Sequence, residues 1–187
     1  MRRFLVLAGL LLGSSIAYAA PPAAPSTWRA KVAQTMPLLG HRNWILIVDS
    51  AYPFQTSPGV ETVETNANQV DVARYVLDTV NASIHVRPSV FMDAELPFVS
   101  DQDSPGASAY RAQIGALLRG NPIESLPHER ILANIDEAGK LFHILILKTN
   151  MAIPYTSVFI RLDCKYLSAD AEKRLRAKMA AAGQPAR

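Results

Sequence analysis

Trp44-Ile45-Leu46-Ile47-Val48 is the stretch that most narrows what this chain can fold into. Strand side chains alternate between the two faces of a sheet, so an unbroken apolar run needs apolar cover on both faces. That requirement points to a central strand with helices packed above and below it. Phe142 to Leu147 and Ser157 to Leu162 read as further buried strands, and Ser89-Val90-Phe91-Met92 as a shorter one. Helical patterns separate them. Val70, Val72, Ala73, Val76, Leu77 and Val80 recur at helical spacing and predict a helix over about 68–81. Thr27 is placed to cap a helix reaching about Met36, where Pro37 and Gly40 stop it. Tyr110 to Leu118 forms another helix, ended by Gly120. A fourth starts at Pro127, carries Ile131, Leu132, Ile135 and Ala138 on one face, and closes at Gly139. Residues 50–60 and 97–106, rich in proline, serine and glycine, read as loops. The prediction is a three-layer α/β fold with a mainly parallel central sheet.

The ends of the chain differ in kind. Arg2 and Arg3, an apolar run from Phe4 to Leu12, and Ala17-Tyr18-Ala19 form a secretory signal peptide, with cleavage expected after Ala19. The run is shorter than the ~20 residues that span a bilayer, so a retained membrane anchor is the weaker reading. Residues 20–26 are a Pro/Ala-rich lead-in, 27–164 the α/β domain, and 165–187 an appended segment in which Ser168 caps a charged, alanine-rich helix from about Ala169 to Ala182. That helix reads as peripheral, or as a docking element for a partner. The formal charge of the whole chain is +3, and the 17 basic against 16 acidic side chains after residue 19 leave the exported form almost neutral. With 49% hydrophobic residues global disorder is excluded, and with one cysteine so is a disulfide scaffold. Cys164 is either a buried small hydrophobe or half of an intermolecular bridge.

Sequence motifs for dinucleotide binding, phosphate loops, zinc hydrolysis, paired-cysteine metal sites and the serine nucleophile elbow are missing. Basic and aromatic residues do not interleave as on a nucleic-acid surface. Asp101-Gln102-Asp103 reads as a solvated turn, since no third ligand follows in a calcium-loop pattern. The informative segment is Leu39 to Pro53, in which His41 follows a glycine just before the buried strand and Asp49 stands at its carboxyl end. Ligands of open α/β sheets bind outside the carboxyl ends of strands, and a carboxylate there is solvated, paired or used. His41 is a candidate functional group or a loop-fixing histidine. Tyr52, beside Pro53, is a candidate ring for stacking on a ligand. His85 reads as a loop residue and His143 as a hydrogen-bonded core histidine, while packing accounts for Trp28 and Trp44.

Gly40-His41, Asp49 eight residues after the histidine, and Pro53 four after the aspartate resemble the ribose pyranase and fucose mutarotase family. The resemblance continues in order through residues 28 to 163. Arg87-Pro88-Ser89-Val90-Phe91-Met92 with the acidic residues after it is similar to the family's second strand, and Tyr110-Arg111 to its next helix. His128-Glu129 resembles a His-Glu pair of the ribose branch, and Tyr155-Thr156-Ser157-Val158 the Tyr-small-Asn tripeptide that opens the last strand. The resemblance implies an isomerase that interconverts cyclic forms of a free monosaccharide by opening and reclosing the hemiacetal, with no metal or other cofactor. It implies His41 as proton donor, and Asp49, His128, Tyr155, Thr156 and Ser157 as sugar contacts. Histidine, with an unperturbed pKa of about 6.5, suits such a shuttle.

Three departures mark this chain. Ser157 stands where the family usually has asparagine and carries one donor fewer. The stretch from His128 to Tyr155 is five residues longer than in the ribose branch, so His128 is alternatively only a histidine near a helix start. Export to the periplasm or beyond is unlike the family's usual cytoplasmic role. Eight extended residues reach up to ~26–29 Å, so one straight strand from His41 to Asp49 would keep them off the same sugar. Either the chain doubles back before Trp44, or subunits share the site, as in the family's rings, commonly decamers. A ring-like homo-oligomer is the expectation, with no nucleic-acid partner and no stable membrane insertion. Two other readings stay open: an exported sugar-binding protein that keeps the cleft without the chemistry, and an interaction module with a vestigial cleft.

Overall fold

The computed structural model describes residues 27–184; the expected signal peptide (1–19) and lead-in (20–26) lie outside them. Apolar runs become strands and periodic segments become helices, as the patterning requires. The helices are α1 (Trp28–Thr35), α2 (Gln69–Ala82), α3 (Ala107–Leu117), α4 (His128–Gly139) and α5 (Ala169–Ala181). The strands are β1 (Trp44–Val48), β2 (Val60–Glu64), β3 (Val86–Asp93), β4 (Ile123–Leu126), β5 (Ile144–Lys148) and β6 (Val158–Cys164). They form one sheet in the order β2-β5-β1-β6-β3-β4. Five strands run the same way, and β6 alone runs against its neighbours β1 and β3.

Helices cover both faces. On one, Ile45 and Ile47 of β1 pack with Trp28 and Val32 of α1, the apolar stripe of α2, and Tyr110 and Ile114 of α3. On the other, Trp44, Leu46 and Val48 pack with Ile131 and Ile135 of α4. β1 is therefore buried along its whole length, which is why its sequence shows no alternation. Local chemistry sets the helix starts. The Thr27 side chain accepts from the Ala30 amide, Asn68 from Val70, and Ser168 from Ala171; each satisfies an N–H that the helix leaves free. Gly106 begins α3 at φ 93°, a left-handed conformation natural to glycine. Asp101 accepts from the Gly106 and Ser108 amides, so the acidic turn fixes this start. α5 contributes none of its described side chains to either core.

Two strands escape the sequence patterning. β2 (Val-Glu-Thr-Val-Glu) and β4 (Ile-Glu-Ser-Leu) are the sheet's edges, short and only partly covered, and their mixed composition suits a half-exposed strand. The loop expected over 50–60 ends one residue early, at Val60. His143 also departs from expectation. β5 begins at Ile144, so His143 precedes the strand and is partly exposed rather than in the core. Its Nε2 has no hydrogen-bond partner among the described residues and lies 3.9 Å from the Glu61 carboxylate. His85 is the loop residue expected, its ring held between Ser83 and the Leu39 carbonyl.

Candidate active site

Because β6 runs against β1 and β3, the carboxyl ends of those two strands meet the start of β6 at one edge of the sheet. Val158 pairs with Ile47 on one side and Met92 on the other. The residues beyond these pairs therefore converge: Asp49 after β1, Asp93 at the end of β3, and Tyr155-Thr156-Ser157 leading into β6. β4 lies beside β3 and runs through Pro127 into α4, which delivers His128 to the same edge.

The contacts are specific. Ser157 Oγ donates to Asp49 Oδ2 at 3.2 Å, while Asp49 Oδ1 accepts from the Ala51 amide at 2.9 Å. Both carboxylate oxygens are thus oriented while the residue stays partly exposed. His128 Nδ1 lies 3.0 Å from Asp93 Oδ1, and the Tyr155 ring meets the imidazole edge-to-face at 5.5 Å between centroids. Tyr155 holds φ 59°, a conformation that L residues rarely adopt and that tends to persist where surroundings impose it. Asp49, His128 and Tyr155 border a cleft of about 380 Å³ lined also by Tyr52, Leu132 and Ile153, while Ser157 and Asp93 lie buried behind Asp49 and His128. That volume lies at the small-ligand end of binding clefts. The larger hollows among the described residues do not combine a carboxylate, an imidazole and a hydroxyl in this way.

A buried polar network holds the floor. Gln69, the first residue of α2, is fully buried, and its Nε2 donates to Tyr110 Oη at 3.0 Å and to the Thr156 carbonyl. The Tyr110 hydroxyl donates to the same carbonyl. Thr149 Oγ1 lies 2.8 Å from the Val48 carbonyl and 3.0 Å from Gln69 Oε1, and shares its proton between them. The network ties the ends of β1 and β5 to the loop that carries Tyr155 and Ser157. Thr156 is fully buried, so its side chain braces the loop and does not face the cleft.

Of the residues expected at the site, the fold brings together Asp49, His128, Tyr155, Thr156 and Ser157. It does not bring His41. The chain does turn tightly at residues 40–43, where the Asn43 amide donates to the Gly40 carbonyl and Arg42 adopts φ 74°. The turn abuts Leu162 near the end of β6, however, and leaves His41 exposed at the amino end of β1. Asp49 stands at the other end of a five-residue strand, whose first and last Cα atoms are ~13 Å apart. Within one chain the two residues do not share a ligand. Tyr52 lines the cleft but is almost entirely buried, and burial pushes its hydroxyl pKa far up, with nearby Asp136 and Asp49 adding to the effect. It is a wall more than a stacking platform. Asp93 escaped the sequence reading. The signal that singled out Asp49, an acid at the carboxyl end of a buried strand, applies to it equally.

No family model matches the sequence, and no curated protein matches it either. Among solved structures, the chain is similar to that of Bacillus subtilis RbsD complexed with D-ribose, at 18% identity over 71% of this chain and 90% of that one, with a TM-score of 0.53. The chain shares the RbsD fold. The fucose mutarotase from Streptococcus pneumoniae in complex with L-fucose aligns over 70% of this chain and 89% of its own at 19% identity, with a TM-score of 0.46, and nothing is argued from it. The RbsD likeness accounts for the α/β architecture with its six-stranded sheet; the chemistry of the cleft rests on the side chains themselves.

Proposed function

We propose that the chain is an exported isomerase that interconverts cyclic forms of a free aldose by acid–base ring opening. The observation that carries this reading is the convergence of Asp49, oriented by Ser157, with His128 and Tyr155 on one small cleft. Support also comes from the shared fold of RbsD, a protein whose structure holds D-ribose. A monosaccharide presents hydroxyls that both donate and accept. Asp49, held by Ser157, accepts from a sugar hydroxyl, His128 exchanges hydrogen bonds with others, and Leu132, Ile153 and Tyr155 cover the apolar C–H faces. Ring opening removes a proton from the anomeric hydroxyl and supplies one to the ring oxygen, chemistry that side chains perform without a metal or redox group. Positioned acid–base groups contribute about 10²–10⁴-fold to such steps.

His41 enters the same reading from a second copy of the chain. Its exposed turn lies at the opposite end of β1 from the cleft, so a ring in which each copy presents its His41 turn to its neighbour's cleft completes every site. A decamer is one such ring. Saturation-transfer NMR at the anomeric protons of a panel of aldoses tests the activity. Faster exchange with the wild type, lost in His41→Ala while sugar binding persists, is the expected result. Sugar line broadening without faster exchange would instead identify a binding protein. A monomeric mass by light scattering would overturn the shared site, and an unprocessed amino terminus on the mature protein would overturn export.

A further inference from the structure

Asp93 is the most costly group in the site. Its side chain is completely buried, and its Oδ2 has no hydrogen-bond partner among the described residues. A buried carboxylate with an unsatisfied oxygen opposes folding unless something else requires it. Its one side-chain partner among the described residues is His128, whose Nδ1 is 3.0 Å from Oδ1. The backbone of His128 is held as firmly, because its amide donates to Glu95 Oε1 at 3.0 Å and Oε2 at 3.1 Å. Glu95 thereby caps the first turn of α4 and fixes the Cα from which the imidazole hangs. With Nδ1 engaged inside the protein and the ring partly exposed at the cleft, Nε2 is the nitrogen left for a ligand. The negative groups facing the pair are Glu95 beyond β3 and Asp49 beyond β1.

We propose that Asp93 is a positioning residue that makes His128 an acid–base group for ring opening, rather than a passive sugar contact. This deepens the function proposed above and rests on it. Asp93 accepts from Nδ1–H and so selects the tautomer whose Nε2 carries a free lone pair. Nε2 takes the proton of the anomeric hydroxyl. The electron pair of that O–H bond becomes the new C1=O1 bond, the C1–O5 bond breaks, and its pair goes to O5. O5 takes a proton from a second donor, the His41 of a neighbouring copy or water. Reclosure on either face runs the steps backwards, and the imidazolium returns its proton to O1. Each step conserves atoms and electrons and needs no other reactant.

Two readouts on the full chain test the proposal. Long-range ¹H–¹⁵N correlation of the histidine rings, with His128→Gln for assignment, reports the tautomer directly as the ring is titrated to its neutral form. The expected result is Nδ1–H with an unprotonated Nε2 in the wild type, and a gain of the Nε2–H form in Asp93→Asn. Kinetics of aldose exchange then give a kcat at least ~10²-fold lower in Asp93→Asn with KM within about threefold. Nε2–H as the wild-type tautomer, an unchanged tautomer in Asp93→Asn, or a rise in KM with kcat retained would each overturn it. The wild-type spectrum decides the tautomer even if Asp93→Asn does not fold. The expected tautomer in a wild type that accelerates no sugar would refute the isomerase reading and leave Asp93 holding a ligand-binding histidine.

Discussion

Gln69 offers the sharpest test of how the site is held, because two substitutions of similar shape separate its donors from its bulk. Gln69→Met keeps most of the volume and removes the amide. Three hydrogen bonds are lost, to Tyr110, Thr156 and Thr149. None of those partners is stranded: Tyr110 still donates to the Thr156 carbonyl, and Thr149 to the Val48 carbonyl. The cost is therefore the net worth of three bonds at about 1 kcal/mol each, or about 3 kcal/mol. In a chain of this length that corresponds to a fall in Tm of ~6–12 °C. Gln69→Glu keeps the shape almost perfectly and replaces the NH₂ with oxygen. That oxygen then faces the Thr156 carbonyl with no proton between them in the ionised form, and a charge is buried. The cost should exceed that of Met, to more than ~4 kcal/mol at neutral pH. It should shrink in acid, because burial raises the new carboxyl's pKa and stability tied to its proton is lost as pH rises. Thermal and urea unfolding at fixed protein concentration measure both variants. A glutamate milder than methionine at neutral pH, or a methionine costing under ~0.5 kcal/mol, would refute the network as the anchor of the Thr156 loop.

Asp93→Asn should stabilise the fold at neutral pH. Burial is the largest influence on Asp93 and raises its pKa against the opposing hydrogen bond and charge of His128. Its ionisation thus works against the native state: the stability it leaves intact below the ordinary carboxyl range is lost as pH rises toward the raised value. The Tm advantage of Asn over wild type should widen from about pH 4 to about pH 8, and an advantage that narrows would contradict this sign. Gly59→Ala would place a Cβ 2.9 Å from the Phe142 carbonyl and 3.0 Å from that of Gly139, both rigid backbone; a loss of ~1–3 kcal/mol in urea unfolding is expected. Truncation after Leu167 removes α5, none of whose described side chains is buried. Tm should then move by less than ~2 °C, and a larger fall would reveal a packing role.

Much of the architecture is legible one segment at a time. Val70, Val76 and Val80 recur at the spacing of a helix that packs one face, and Trp44–Val48 is apolar throughout because both faces are covered. These are local signals, since burial acts on every residue of the element. Edge strands carry little of it. Four of the five residues of β2 are half-covered and the fifth is exposed, and three of the four residues of β4 are exposed, so no pattern is written into their sequences. Asp49 was legible because a carboxylate at the end of a buried strand is conspicuous. Asp93 occupies the same position on β3, but its meaning comes from His128, 35 residues later.

By itself, then, the amino-acid sequence determined the α/β class, the helices and the three central apolar strands, and it singled out Asp49, His128 and Tyr155, which the fold sets around one cleft. The sheet order was decided only in three dimensions, and it governs the site. The antiparallel insertion of β6 between β1 and β3 sets Ser157 beside Asp49, and the parallel pairing of β4 with β3 places His128 within reach of Asp93. It also leaves His41 at the far end of β1. Strand order arises from pairings between segments distant in the chain, whose free energy comes from burying both faces of the assembled sheet. No window of residues short enough to show a pattern contains that information.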